Sequence, residues 1–533
     1  MNVRTKFDGR PMYQEDIIQE LYLDRGVGSD VGCLFPNENS LLPLESLPHV
    51  AEAYNIIFDG IETGARFNVL FDCDLDGVTS GAEITRFLEE NYGNVKTFIN
   101  HGKNHGVQKE MIDELSLCDI LIIVDSLDNT VENYKAIAER GVKIIVMDHH
   151  AVNPDIPYED YVTLVTSQVN YGNPQLSGAG VVWKVIKYCD SRKGTNFSDK
   201  TADLAACGLV GDMVDMSVPE NRYIVSLGLR NCNNLAIQKI LGSYQFNSTS
   251  IAYSIAPLIN ASMRIGCNEV AKDLFITDDL KTVRALIREL KKAKELQQKE
   301  VERLLPSIKE QCENQAYNKM MVVIFESEYG VSGLLGNKLM AIYKRPILVL
   351  QKDGNKYRGS MRAVGVDDFR KIVNDSGFAQ CDGHECAAGI KMPCENLEKL
   401  QDYIAENLDL ELNEICIDAD VMLNTEDLSF GLVNNIHKLD TISGMNFPPV
   451  KIYIETTSYD ASTLKDGLHL KLELEDGITA FFWNKGDLFE KTLDASLMGG
   501  RLQLVGTVDI SNFRGRQSIS FIISDMDIDD SIL

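Results

Sequence analysis

The stretch VLFDCDLDGVTS, Val69 to Ser80, ends an apolar run on three aspartates at every second position, Asp72, Asp74 and Asp76, and follows them with a glycine. Carboxylates at that density repel one another unless something positive sits among them. Two more apolar runs end in the same way. DILIIV leads to Asp125, and GVKIIVM leads to Asp148, which His149 and His150 follow. Each run has the length and β-branched content of a buried strand. Between them, GAEITRFLEENYG and TVENYKAIAERG are amphipathic and close on glycine, as helices often do. Strand and helix in alternation predict a parallel sheet with helices on its faces. Such sheets bind ligands beyond the carboxyl ends of their strands, and all three runs deliver an aspartate to that edge.

Hard carboxylate oxygens with one or two imidazoles suit Mn²⁺ or Mg²⁺ better than a thiolate-seeking metal. A carboxylate shared by two ions about 3.5–4 Å apart is the core of a two-metal hydrolase. A calcium loop is the alternative for Asp-x-Asp-x-Asp, and Glu83 does stand twelfth from Asp72. The buried strand before the motif and the missing helix at its start argue against it.

The bulk numbers frame this reading. A chain of 533 residues holds two to four domains, and 44% hydrophobic with 25% charged is an ordinary globular composition. No stretch reaches the roughly 18–20 apolar residues of a membrane span, and the first residues lack a signal-peptide core. A soluble protein of the cytoplasm, or of the host cytoplasm if viral, is expected. Twelve cysteines without a Cys-x-x-Cys pair read as buried free thiols, Cys118 and Cys207 among them, and not as a zinc site. The net charge of −27 by itself speaks against a nucleic-acid binder. Net charge is not local charge, however, and a metal-centred cleft can be positive inside an acidic protein.

Further along, residues 277–309 read as one long charged helix opened by Asp278 or Asp279. Its narrow stripe, Val283, Leu286, Leu290 and Ala293, falters at Gln297 and resumes at Val301 and Leu304, so it is expected to connect domains. KMMVVIFESEYG and RPILVLQKDG then flank the helical GLLGNKLMAIYK. From residue 411 the pattern alternates as in a small all-β barrel. KYRGSMR, Lys356 to Arg362, reads as a turn before a helix, where backbone N–H groups, Ser360, Arg358 and Arg362 would suit a phosphate.

These motifs together resemble the DHH phosphoesterases, and most nearly their RecJ-type branch of single-strand-specific exonucleases. DCDLDGVTS, IIVDS and VMDHH match the family's first three motifs. LSGAGVVWKV, CGLVGDMVDMSVPENR, APLINASMRIG and DGHECAAG match later ones in order. The resemblance implies an α/β protein: an N-terminal extension (1–48), a parallel-sheet DHH domain (49–276), a connector helix (277–311), a smaller α/β DHH-associated domain (312–410) and an OB-like nucleic-acid-binding barrel (411–533).

It implies Asp74 and Asp76 each on one of two Mn²⁺ or Mg²⁺ ions, Asp125 bridging, and His149 and Asp212 completing the ligand set of the second ion. Asp72 and Asp148 would orient ligands from behind. His150, Arg264 and His384 would face the phosphate. In the barrel, Phe481, Phe482, Trp483 and Phe513 are stacking candidates, with Arg514 and Arg516 beside them. Arg264, Arg358, Arg362, Lys184, Arg514 and Arg516 could line one basic track. Two departures stand out: Asp382 where the family has glycine, and NHGKNHG (Asn100–Gly106) where it has an arginine and Gly-Tyr-Gly.

The activity implied is exonucleolytic hydrolysis of single-stranded DNA, 5′ to 3′, in recombination, repair or replication. The expected form is a monomer, with a single-strand-binding protein or other replication and recombination proteins as partners the family leaves open. The alternatives are a phosphodiesterase or phosphatase of short oligonucleotides or nucleotides, and a replication scaffold without catalysis.

Overall fold

The apolar runs that end on aspartate are strands in the computed structural model. It describes residues 2–26, 36–101, 105–409, 416–513 and 516–529, the side chains of 512, 513, 516 and 529 apart. Strands are numbered from β1 (Asn2–Asp8). The first sheet holds β2 (Phe67–Phe71), β3 (Val95–Ile99), β4 (Ile120–Val124), β5 (Lys143–Asp148) and β6 (Thr163–Thr166). All are parallel, in the order β3-β2-β4-β5-β6. Every residue of β2 and β4 is buried, because both faces of the sheet are covered. Alternation then divides them: Val69, Phe71, Ile122 and Val124 enter one core, and Leu70, Leu121 and Ile123 the other. The strand order reverses between β2 and β4, and the crevice at such a switch point is where ligands bind. Asp72 and Asp125 flank it.

The helix Leu75–Asn91 begins at Asp74, whose side chain accepts the Gly77 N–H at 3.1 Å. A Cβ on Gly77 would lie 2.5 Å from the Asp72 Cβ, and one on Gly81 2.2 Å from Phe71 Cδ2. Two glycines one turn apart let the helix rest on the end of β2. The calcium-loop alternative fails here. Glu83 lies in the third turn of that helix, fully buried, where burial and then Asp76 and Asp203 raise its pKa well above the usual carboxylate range.

Helix Leu280–Glu313 is capped by Asp279, which accepts the Thr282 N–H at 2.8 Å. Its buried stripe does not falter at Gln297, which is buried in line with the rest. Val283, Ile287 and Leu290 join the first core, while Val301, Leu304, Ile308 and Cys312 join a core of the next domain. One helix face thus carries both domains.

The second sheet comprises β7 (Met321–Phe325), β8 (Ile347–Asp353), β9 (Lys356–Arg362), β10 (Gln380–His384) and β11 (Ala387–Pro393), in the order β10-β11-β9-β8-β7. KYRGSMR is therefore a central strand and not a turn before a helix. Gly359 pairs with Leu350 on one side and Ile390 on the other, so these backbone N–H groups belong to the ladder and cannot cradle a phosphate.

The third sheet comprises β12 (Cys416–Met422), β13 (Ile452–Thr456), β14 (Tyr459–Leu464), β15 (His469–Leu474), β16 (Thr479–Phe482), β17 (Arg501–Phe513) and β18 (Arg516–Asp529), and β1 is its eighth strand. The N-terminal segment thus returns to the far end of the chain. β1 lies parallel to β12, Lys6 reaches Asp420 at 2.9 Å, and Arg25 grips Asp420 at 2.8 and 3.0 Å. The 410/411 boundary lies outside the described residues. Among the described residues the cysteines are free, Cys118 and Cys207 being buried, and no helix is long and apolar enough to cross a membrane.

The close contact of helix Leu75–Asn91 with β2 can be tested by Gly81→Ala. Alanine gains about 1 kcal/mol of helix propensity, while overlap with the buried Phe71 ring costs about 1–3 kcal/mol. A lower Tm is expected. A raised Tm would mean that the helix has room to spare above Phe71.

Candidate metal centre

Six carboxylates, Asp72, Asp74, Asp76, Asp125, Asp148 and Asp212, and three imidazoles, His105, His149 and His150, meet at the switch point. Asp76, in the first turn of its helix, is buried. It accepts the N–H groups of Gly178 and Ala179 at 2.7 and 3.0 Å, from the start of helix Gly178–Lys193. The positive end of that helix therefore supports the carboxylate. Glycine is needed there, since a Cβ on Gly178 would lie 2.7 Å from Asp125 Oδ1. Asp125 itself follows β4 in the left-handed region, φ 53°, a strained conformation for a residue other than glycine. Its Oδ1 is buried without a hydrogen-bond partner and stands 3.2 Å from His149 Nε2.

His149 Nε2 is 3.8 Å from Asp76 and its Nδ1 3.7 Å from Asp212. Ligand atoms of Asp76, His149 and Asp212 lie within 4.8 Å of one another, and so do those of Asp72, Asp74 and Asp125. Asp125 thus stands beside both groups. Asp72 was expected only behind the ligands. It does accept bonds from Ser126 and His105, both at 3.2 Å, yet it also offers an oxygen to the second group. Asp148 is fully buried; it accepts the Leu127 N–H at 2.6 Å and holds His150 Nδ1 at 2.9 Å, leaving the rest of that ring half exposed.

Electrostatics matches the geometry. Burial, then Asp72 and Asp76, raises Asp74 to about 7. Burial and Asp76 push Asp125 and Asp212 well above the usual range. Burial lowers His149. Burial also opposes the charge on His150, but Asp148 and Asp72 outweigh it and raise the ring to about 9. Burial works likewise against Asp148, and His150 holds it below the ordinary range. The orphaned Asp125 oxygen and this all-oxygen-and-imidazole donor set fit one or more divalent cations.

The second domain closes over this edge. His149, His150 and Asp212 line one cleft with Arg370, Lys371 and His384. His384 ends β10, exposed, after Gly383 at φ 134°. The neighbouring Asp382 leans towards Lys391 at 3.8 Å. Arg264, near the end of helix Ala256–Ile265, is bonded through its carbonyl to Gly330 N–H of the second domain at 3.2 Å. Burial and the like charge of Arg362 lower its pKa, against the pull of Asp74, so these three groups share one neighbourhood. Arg362 bonds Asn337 at 2.6 Å.

Other expected residues are elsewhere. Ser360 is buried and bonded to Ser332 at 2.9 Å, and Arg358 is exposed and held by Asp353 at 2.9 Å. Lys184 leaves the basic track altogether. It is fully buried against Glu220 at 2.6 Å, because a deep cation needs a carboxylate partner. In the last sheet, Phe482 is core, whereas Trp483 is 46% exposed and stacks on Phe481, centroids 5.3 Å apart and rings 4° from coplanar. Arg514 and the side chains of Phe513 and Arg516 lie outside the described residues.

Residues missed by sequence reasoning also reach the site. His105 packs its ring 4.5 Å from His150; a histidine in a loop with no periodic pattern gives little warning of this. Arg370 and Lys371 follow an ordinary cap. The loop after Asp212 is clamped by the last domain: Met216 N–H bonds Met445 O at 2.9 Å, Asn446 bonds Asp215 at 2.9 Å, and the Arg222 guanidinium lies 5.1 Å over the Phe447 ring.

Comparison with known proteins agrees with this architecture. Residues 66–209 match the N-terminal domain of the DHH family and residues 419–525 the RecJ OB domain. The chain is 26% identical over 454 residues, 75% of its length and 78% of the relative's, to a putative SPbeta prophage-derived single-strand DNA-specific exonuclease, YorK, of Bacillus subtilis. It is 27% identical over 463 residues, 84% of its length and 67% of the relative's, to the single-stranded-DNA-specific exonuclease RecJ of Thermus thermophilus. The crystal structure of RecJ from Thermus thermophilus in complex with Mn²⁺ has the same fold, at a TM-score of 0.77 and 23% identity, over 99% of this chain and 80% of that one.

The pKa directions set a pH dependence. Asp74, raised to about 7, and Asp125 and Asp212, raised well above the usual carboxylate range, keep protons in the folded metal-free protein that the unfolded chain has lost. Their ionisation therefore costs folding stability progressively as pH rises through about 7, and a bound cation relieves that cost. The gain in Tm on adding Mn²⁺ is expected to grow from about pH 5 to about pH 8. A gain equal at both ends would show that these carboxylates do not hold the ion.

Proposed function

With a DHH domain near its start and a RecJ OB domain at its end, the chain is of the RecJ type, and on that premise we propose that it is a metal-dependent exonuclease of single-stranded DNA, working 5′ to 3′ in DNA repair or recombination. The observation that carries this is the buried Asp125 oxygen, without a hydrogen-bond partner and beside both ligand groups. Asp74, Asp76, Asp125, His149 and Asp212 would hold the Mn²⁺ or Mg²⁺ ions, His149 and Asp212 on the side of Asp76. Asp72 adds an oxygen on the side of Asp74. Bound there, such ions supply Lewis-acid polarisation of the phosphoryl oxygen and a water acidic enough to ionise near neutral pH.

The chain's own groups do the positioning. Asp148 fixes His150 so that its free edge faces the cleft, where the imidazolium can hold a phosphate oxygen. Arg264, Arg362 and His384 meet the same phosphate from the other side, which requires the two domains to keep their spacing. The shared face of helix Leu280–Glu313 keeps it. A single strand threaded between the two domains would leave its bases free for stacking. The coplanar pair of Phe481 and Trp483 is suited to hold a base farther along the strand.

Single-stranded DNA labelled at either end, incubated with Mn²⁺, tests this reading. The 5′ label is expected to be released first as short product, and Asp125→Asn is expected to slow release by more than about 100-fold. Undiminished release by Asp125→Asn would take that carboxylate out of the reaction. Trp483→Ala is expected to weaken binding of a long strand by about tenfold, as loss of one stacked base does, while a strand too short to reach the last domain is bound as before. Equal affinity of wild type and Trp483→Ala for the long strand would leave the aromatic pair without a role in binding.

A further inference from the structure

Helix Leu280–Glu313 does more than space the two domains. Lys281, Arg284, Arg288, Lys291 and Lys292 are all exposed, at steps that place them opposite the buried Val283, Ile287, Leu290 and Ala293. Between residues 281 and 294 the chain has six Lys or Arg and a single acid, Glu289, in a protein whose net charge is −27. An acidic protein has carboxylates to spare for pairing, yet among the described residues none pairs with these six. On either side, Lys272 pairs with Glu269 and Asp273, and Arg303 with Glu300. The two acids just before the helix are engaged elsewhere: Asp278 with Arg86 at 2.9 Å, and Asp279 with the Thr282 N–H. Burial, and after it the like charge of Lys291, lowers the pKa of Lys294.

Such a row is unfavourable in isolation and favourable against a polyanion. Its cations recur about once per 5.4 Å turn and extend over roughly 16 Å, a spacing that suits a flexible, repeating phosphate chain better than a compact anion. The stripe is also tied to the cleft. The inner face of this helix packs in the same core as Ile259, from the helix that carries Arg264.

We propose that the outward face of helix Leu280–Glu313 is a second binding surface for single-stranded DNA, holding the phosphate backbone of nucleotides that lie outside the metal cleft. The proposal rests on the nuclease reading and adds a contact that only long strands can make. Each phosphate neutralised releases counterions, so the contact shows in the salt dependence of binding and not in base preference.

The test is the variant R284Q/R288Q/K291Q/K292Q, in which glutamine keeps helix propensity. Its circular dichroism spectrum and Tm serve as the check on folding. Binding of strands of about 10 and about 60 nucleotides is measured by fluorescence anisotropy in EDTA, at several salt concentrations; the shorter is on the scale of one single-strand site. For the long strand, affinity is expected to fall about tenfold at low salt, and the slope of log K against log salt to become shallower by up to about 2.8, at 0.7 per contact. The short strand is expected to bind variant and wild type alike.

Unchanged affinity and slope for the long strand would overturn the proposal. So would an equal loss for both lengths, since the stripe would then be acting at the cleft. Mn²⁺-dependent hydrolysis of the short strand by the same variant separates the two readings: if it persists while long-strand binding is unchanged, the nuclease stands and only the stripe falls.

Discussion

The cost of gathering carboxylates where water cannot reach them governs this structure. Asp74, Asp76, Asp125, Asp148 and Asp212 converge on one sheet edge, and burial with mutual repulsion raises three of them far from their ordinary behaviour. Protein groups answer part of this charge. Helix amides bind Asp76, and His150 answers Asp148. The Asp125 oxygen is answered by no hydrogen bond. A fold that holds a strained, left-handed aspartate in that condition is built for a cation.

Much of the remaining architecture serves that constraint. Gly77, Gly81 and Gly178 matter because a side chain on any of them would push a helix off the cluster. The connector helix packs into the cores of both domains, and His384 lines one cleft with His149, His150 and Asp212. The last domain contributes too, since Met445, Asn446 and Phe447 hold the loop that presents Asp212. β1 and Arg25 bind the start of the chain to that same domain, so the two ends close around the sites between them.

The sequence displayed the parts that depend on local pattern. Strand-end aspartates, glycine-closed helices and alternating β segments are local signals, and the three sheets follow from them. Long-range pairing left weaker traces. KYRGSMR has the glycine and serine of a turn, but its neighbours on both sides make it a central strand. Lys184 reads as one of a basic track, and only the fold supplies Glu220 to draw it inside. Gln297 breaks the apolar composition of the stripe but not its helical position, and it is buried with the rest. His105 reached the metal edge by loop geometry, which no periodicity encodes.

Anomalous diffraction at the manganese edge, from crystals of the full chain soaked in Mn²⁺, addresses the central claim most directly. The account predicts two peaks about 3.5–4 Å apart, with the Asp125 carboxylate between them and His149 on one. A single peak away from Asp125, or none among Asp72, Asp74, Asp76 and Asp212, would contradict it.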